Sequence, residues 1–224
     1  LGNESGKSIP GHIVVDTVPP AIPVVRSLPE YTNAEELTVE WTAVPTAHSY
    51  KVEYAIGSNE GTTLSYVPSV TISLAGAVEG DVVGVRVMAI DEAGNESEYS
   101  EPVSTIFDDI PPVVTFNAMP SRTRDARPQW QWSATYSVAP VEYYWVSLDI
   151  WPAFQTISDR YSHGSDLSDG PHTLAVIAVD AAGNWSTLVW STVEVDTTVS
   201  VPGMPTTASP TNNTKPTWTW PAVT

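Results

Sequence analysis

Val82-Val83-Gly84-Val85-Arg86-Val87-Met88-Ala89-Ile90, running straight into Asp91-Glu92-Ala93-Gly94-Asn95-Glu96-Ser97, is the stretch that decides the fold. Val83, Val85, Val87 and Ala89 alternate with Val82, Gly84, Arg86 and Met88, and a period of two places the first set together on one face of a strand. That face is assigned to a core. The glycine and asparagine that follow both tolerate positive φ, so the chain can turn there and return as a final strand. No part of the sequence sustains apolar spacing at three and four residues, and long amphipathic helices are therefore not expected.

The same stretch recurs. Asp91 to Ser97 returns as Asp180-Ala181-Ala182-Gly183-Asn184-Trp185-Ser186, and the chain opens on Leu1-Gly2-Asn3-Glu4-Ser5, the end of the same motif. Asn3, Asn95 and Asn184 lie 92 and 89 residues apart. A second marker follows each copy: Asp16-Thr17-Val18-Pro19-Pro20 aligns with Asp109-Ile110-Pro111-Pro112 and more loosely with Asp196-Thr197-Thr198-Val199-Ser200-Val201-Pro202. The third is a tryptophan strand, Val39-Glu40-Trp41, Trp130-Gln131-Trp132 and Trp218-Thr219-Trp220, with Trp41, Trp132 and Trp220 spaced by 91 and 88. Three markers in one order at one period indicate a tandem array.

Boundaries follow from the markers. Residues 1–16 are expected to be the last strand of a preceding repeat, 17–108 and 109–196 two complete β-sandwiches, and 197–224 the first strands of a following repeat. The two end fragments lack the middle strands and cannot jointly rebuild a domain. The protein is thus expected to continue at both ends, the other reading being that neighbouring copies supply the missing strands.

Composition agrees with an all-β protein. The chain of 224 residues holds 20 Pro, 13 Gly, 9 Trp and 9 Tyr, a mixture suited to short strands and turns. It has 26 acidic against 9 basic side chains, a formal charge of -17. Such a surface repels phosphate backbones and anionic lipid heads, which argues against nucleic-acid partners and membrane binding. Acidic excess serves solubility or divalent-cation binding. Cysteine is absent, which excludes a disulfide scaffold and thiolate metal sites. No leader-like segment opens the chain and no run is apolar enough to span a bilayer, so any export or anchoring signal is expected outside these residues.

Within each repeat the alternation assigns the interior. His172, Leu174, Val176 and Ala178 align with Val83, Val85, Val87 and Ala89, and Trp41, Trp132 and Trp220 are the expected core anchors. Burying one such ring contributes on the order of 2–3 kcal/mol. Ser168-Asp169-Gly170-Pro171 reverses the chain before the strand that starts near His172. The prolines of the Asp-x-x-Pro-Pro segments cannot continue a ladder, so pairing stops where one repeat hands over to the next.

Leu37-Thr38-Val39-Glu40-Trp41, Tyr50-Lys51-Val52-Glu53-Tyr54 and Val83 to Ala89 make the first repeat resemble a fibronectin type III domain, with Val83 where a corner tyrosine is usual. The second resembles the bacterial Ig-like repeats of large surface adhesins, through Tyr144-Trp145-Val146-Ser147-Leu148-Asp149 and Asp169-Gly170-Pro171-His172-Thr173-Leu174, leading into Asp180 to Asn184. The resemblance implies tandem sandwiches without catalysis, found alike in adhesins, secreted glycosidases and surface filaments. In adhesin arrays of this kind, Ca²⁺ at the linkers stiffens the rod. In such a topology the loop before the final strand lies at the end where the chain enters. Asp91 and Glu92 are then expected near Asp16, and Asp180 near Asp108 and Asp109. Together with Asp196 these are the candidate Ca²⁺ ligands, since the ion takes six to eight oxygens. The competing reading is that the same carboxylates cap turns through hydrogen bonds to backbone. Both stand at this point.

Other candidates are weaker. Trp145, Trp151, Trp185 and Trp190 are less easily assigned to a core, and Trp151 and Trp185, near loops, are candidates for stacking on a sugar. His12, His48, His163 and His172 lack ligand-like spacing, and His172 reads as a hydrogen-bonded structural histidine. Asn95-Glu96-Ser97 and Asn184-Trp185-Ser186 match a glycosylation sequon, but the repeat motif itself accounts for them. No nucleophile motif, phosphate-cradling loop or paired catalytic acid stands out, so the chain is not expected to be an enzyme. The expected role is a structural extender at a bacterial cell surface, whose partners are neighbouring repeats of the same chain. Any glycan or other surface ligand would be bound by domains beyond these residues. Alternatives are carbohydrate-binding accessory modules of a secreted polysaccharide-degrading enzyme, and a subunit of a surface filament.

Overall fold

The computed structural model describes residues 15–150 and 152–199 and the single positions 215 and 217. His12, Trp151, Trp218 and Trp220 lie outside the described residues, as do residues 1–14 and nearly all of the last fragment. Every regular element among the described residues is a strand.

The first seven strands are β1 (Tyr31–Thr32), β2 (Glu36–Glu40), β3 (Ser49–Ile56), β4 (Asn59–Ser65), β5 (Ser69–Ser73), β6 (Val82–Ile90) and β7 (Val103–Phe107). One sheet runs β1-β7-β6-β3-β4. The other pairs β2 with β5, and Val25 adds a further segment to β2 by bridging Trp41. The alternation read in Val82 to Ile90 is realised in its register. Val83 lies opposite Ile56, Val85 opposite Tyr54 and Val87 opposite Val52, all turned toward β2 and β5. Leu37, Val39 and Trp41 meet them from the second layer, with Ile72 and Leu74. Trp41 packs edge-on against Tyr50 at 5.2 Å. The Tyr50 hydroxyl accepts a hydrogen bond from the Val44 N–H at 2.8 Å, tying the loop after β2 to the core.

The next eight strands are β8 (Val113–Phe116), β9 (Arg122–Thr123), β10 (Gln129–Thr135), β11 (Val141–Leu148), β12 (Phe154–Thr156), β13 (Arg160–Ser162), β14 (Gly170–Asp180) and β15 (Val189–Val195). Their sheets run β13-β10-β8 and β12-β11-β14-β15-β9, the arrangement of the first seven with a longer outer strand. In both copies a two-residue strand adds in parallel to the last one, β1 to β7 and β9 to β15. Trp130 and Trp132 are fully buried between these sheets, with Leu174, Val176 and Val193.

By Cα proximity the chain forms two compact units. The first runs to Pro112 and includes Tyr136–Glu142 and Val179–Trp185; the second comprises Val113–Thr135, Tyr143–Ala178 and the residues from Ser186.

His172 faces inward in the second unit, as its place in the alternation predicts. Its Nδ1 meets Asp149 Oδ2 at 2.5 Å and its Nε2 meets the Ser168 carbonyl at 2.8 Å. Both partners are acceptors, so the ring is suited to donating from both nitrogens, as the imidazolium does. Burial, the largest influence, opposes that charge, but the hydrogen bonds to Asp149 and Ser168 and the nearby Asp149 and Glu194 charges outweigh it, and the His172 pKa is raised. A group whose folded pKa is raised stabilises fully below its unfolded value near 6.5, and the contribution is lost as pH rises through the folded pKa. The stability difference between the protein and His172→Gln is therefore expected to be largest near pH 6 and to shrink toward pH 9. A pH-independent difference in urea titrations would contradict this.

Asp149 and Ile150 turn the chain after β11 with φ of 50° and 70°. Asp149 is suited to that conformation and uses it, its Oδ1 accepting the Thr173 N–H at 2.7 Å. Ile150 is not suited to it, because a β-branched side chain at positive φ crowds its own backbone. The side chain is fully exposed, so no burial compensates. Ile150→Asn is expected to stabilise by about 1 kcal/mol, read as a higher urea midpoint.

Candidate functional site

The repeated Asp-x-Ala-Gly-Asn-x-Ser motif builds the same small structure twice. In the first copy Asn95 donates its backbone N–H to Asp91 Oδ1 and its side-chain amide to Oδ2, both at 2.8 Å. The same amide donates to the Asp16 carbonyl at 3.2 Å. Gly94 sits at φ 89°, the left-handed geometry that a side chain would oppose. The Ser97 hydroxyl then accepts the Ala89 N–H at 2.9 Å and donates to the Glu98 carbonyl, closing the turn onto β6.

In the second copy Asp180 Oδ1 accepts the N–H groups of Ala182 at 3.0 Å and Asn184 at 2.8 Å, and Oδ2 accepts the Asn184 amide at 3.1 Å. That amide donates to the Asp108 carbonyl at 2.9 Å, while Asn184 Oδ1 accepts from Asn33 at 3.0 Å. Gly183 has φ 92°, and Ser186 accepts the Ala178 N–H at 2.9 Å. Each residue that repeats in this motif thus has a structural role, the sequon serines included.

The linker aspartates fit the same scheme with one correction of register. Asp16 Oδ1 accepts the N–H of Val18, and Asp108 Oδ1 that of Ile110, both at 3.0 Å. Both carbonyls take the motif asparagine. Asp16 therefore corresponds to Asp108, not to Asp109 as the sequence alignment had it, and Asp-Thr-Val-Pro-Pro matches Asp-Asp-Ile-Pro-Pro residue for residue. The alignment on Asp109 skips one residue because Asp108 and Asp109 are identical in type.

Asp108 is wholly buried, and its Oδ2 accepts the Ala139 N–H at 2.7 Å. Asp196 accepts from the Thr198 hydroxyl at 2.9 Å and lies 3.7 Å from Arg122. Glu92 and Asp109 are exposed.

These positions test whether a cation fits. The carboxylates of Asp16, Asp91, Asp108 and Asp180 already accept backbone N–H groups, and N–H donors repel a cation. Among the described residues no three acidic or histidine side chains converge as a metal site. The proximity expected from the sequence holds, Asp91 near Asp16 through Asn95 and Asp180 near Asp108 through Asn184. Around it, the carboxylates of Asp91, Asp108 and Asp180 are capped on both oxygens by N–H donors. The hydrogen bond from the Asn95 side chain is the main cause holding the Asp91 pKa below the usual carboxylate range, against burial and with help from the N–H groups of Asn95, Ala93 and Gly94.

One participant escaped sequence reading. Glu79 receives a hydrogen bond from the Ser137 hydroxyl, and its Oε2 is buried. Burial is the largest influence and pushes its carboxyl up; the nearby Asp108 carboxylate adds to the rise, while Ser137 and the Asp109 N–H oppose it. A raised folded pKa in an acid penalises the folded state above that pKa and leaves no penalty below the unfolded value near 4.5. Glu79→Gln is therefore expected to raise the Tm at pH 7 and to change it little at pH 4. A loss of stability at pH 7 would refute this. Nothing in Val78-Glu79-Gly80 marks the residue in advance, because its setting comes from Ser137 and Asp108, both distant in sequence.

The remaining candidates separate. Trp185 and Trp190 are exposed, Trp145 is half-buried on β11, His48 is exposed, and His163 bonds Tyr161 through Nδ1 at 2.9 Å. A groove of about 470 Å³ crosses the outer side of β3, β4 and β6, lined by Glu53, Gly61, Thr62, Gly84 and Arg86. Glu53 is held there by Arg86 at 2.6 Å and by the Tyr99 hydroxyl at 2.5 Å, while Glu60 lines the same groove.

Strand order, an all-β composition and the paired inner faces define the chain as tandem Ig-like β-sandwiches of fibronectin type III-like topology. No protein-family model and no curated protein matches the chain. Among solved structures it is similar to the fibronectin(III)-like modules of CbhA from Clostridium thermocellum, at 17% identity and a TM-score of 0.47 over 77% of this chain and 94% of that one. It is also similar to the FN1–FN3 domains of chicken CNTN1, at 13% identity and a TM-score of 0.46 over 79% of this chain and 68% of that one. A Fn3-like protein from Clostridium thermocellum aligns at 21% identity with a TM-score of 0.31, over 42% and 98%.

Proposed function

We propose that this chain is a non-catalytic spacer, a stretch of a secreted or surface-anchored bacterial protein that sets the distance between functional parts. The observation that carries this reading is the fate of the repeated acidic residues. Asp91, Asp108 and Asp180, the residues best placed for chemistry, are buried in hydrogen bonds to backbone donors. Side chains so occupied have the turn as their evident work, which supports a structural reading over a chemical one. Repetition of a turn-holding device at a fixed period suits an architecture whose output is length. An adhesin is the context we favour; service beside the catalytic domain of a secreted polysaccharide-degrading enzyme would use the same property.

Single-molecule extension tests the reading. Pulled from its ends, the chain is expected to yield in two separate events. Each should release roughly 90 residues, or about 300 Å of chain at ~3.4 Å per residue, and recover on relaxation. One event involving the whole chain, or extension without resistance, would overturn it.

A further inference from the structure

The outer side of the β12-β11-β14-β15-β9 sheet is unusual for a surface. On β15 the exposed Trp190 stands opposite Ala175 of β14, and Leu188, just before β15, is half exposed. On β11 the outward positions are Tyr143 and Trp145, whose rings meet edge-on at 6.4 Å, and Trp145 lies opposite Gln155 of β12. Their inward neighbours Tyr144, Val146 and Val193 fill the core, so these aromatic residues are surplus to it. The outward positions of β11, of β14 from Thr173 and of β15 as far as Thr192 carry no charged side chain, in a chain with 26 acidic and 9 basic residues. Hydroxyls border the rings: Thr173 and Thr192 bond each other across the strands at 2.8 Å. Charge enters this side only at its β9 edge, where Glu194 lies opposite Arg122, and an apolar stretch of that kind on a charged molecule marks an interaction surface.

We propose that this face binds an uncharged polysaccharide chain, with Trp190 as the principal stacking platform. A pyranose ring is apolar on its C–H faces and hydroxylated around its rim. It therefore matches an aromatic surface bordered by Thr192 and Gln155. Other occupants are disfavoured by charge. A second copy brings -17 against -17, and an anionic polymer meets the same repulsion. A basic protein finds a single carboxylate on this side, Glu194 at the β9 edge, opposite Arg122. The spacer reading does not depend on this surface, and failure here leaves that reading in place.

The experiment is native affinity electrophoresis of the whole 224-residue chain through gels containing hydroxyethylcellulose, arabinoxylan or galactomannan, with polygalacturonate as the anionic control. Retardation is expected in at least one neutral polymer and not in polygalacturonate. Trp190→Ala, at an exposed position, is expected to keep the Tm while weakening retention by about tenfold, and Trp190→Phe to restore part of it. Four results would overturn the proposal: no retardation in any of the three neutral polymers, equal retardation of Trp190→Ala, retardation by polygalacturonate as strong as by the neutral gels, or a sedimenting dimer that Trp190→Ala dissociates.

Discussion

Replacing Trp132 with alanine is expected to cost about 3–5 kcal/mol. The indole is almost wholly enclosed, 1% exposed, with Phe116 at 6.0 Å and Tyr144 at 5.6 Å, both edge-on. Those partners come from β8 and β11, one in each sheet, so the ring joins the two layers. Its removal leaves a void that backbone hydrogen bonding on both sides prevents from collapsing. Trp132→Phe keeps an aromatic edge for both neighbours and is expected to cost clearly less. Urea denaturation of the three proteins is the check. A loss below about 1.5 kcal/mol for the alanine variant would mean that the layers are held by something other than this ring.

Asp180→Ala is expected to cost about 2–4 kcal/mol, because it strands three donors at once in a buried turn. The N–H groups of Ala182 and Asn184 and the Asn184 amide lose their acceptor, and water has little access to replace it. Glu92→Ala, an equally acidic but exposed position, is expected to stay within about 0.5 kcal/mol. Thermal unfolding of the unaltered protein with Ca²⁺ and then with a chelator belongs to the same experiment. With both carboxylate oxygens of Asp91, Asp108 and Asp180 already committed to N–H donors, the Tm is expected to be the same in both. A large rise in Tm with Ca²⁺, or an Asp180→Ala cost below 0.5 kcal/mol, would show that the turn is organised differently.

The fold was legible because its determinants are local. Alternation in Val82 to Ile90 needs only a strand with one wet side, and Trp41 and Trp132 occupy the interior that alternation assigns them. The turn motif was legible as a motif, since Asp, Gly and Asn each have a conformational reason to sit there. What its carboxylates do was not legible, and capping and cation binding stood level in the sequence. A carboxylate that accepts from backbone two and four residues ahead and one poised for an ion are spelled the same way. Only the positions of the N–H groups of Asn95, Ala182 and Asn184 separate them. Glu79 was hidden for a related reason, its neighbours lying 29 and 58 residues away. The aromatic sheet face was half visible. Trp145 and Trp190 are less easily assigned to a core, as are Trp151 and Trp185, but that the first two share one face emerges only from the order β11-β14-β15.

Asn95 and Asn184 each reach a main-chain carbonyl, that of Asp16 and that of Asp108. Every amino acid offers that group, so this contact makes no demand on which residue supplies it. A gene can therefore gain, lose or exchange copies by recombination without a matching second change to preserve the bond. Such tolerance is compatible with two copies that keep the turn in common while their outer faces differ, one of them presenting the exposed Trp190.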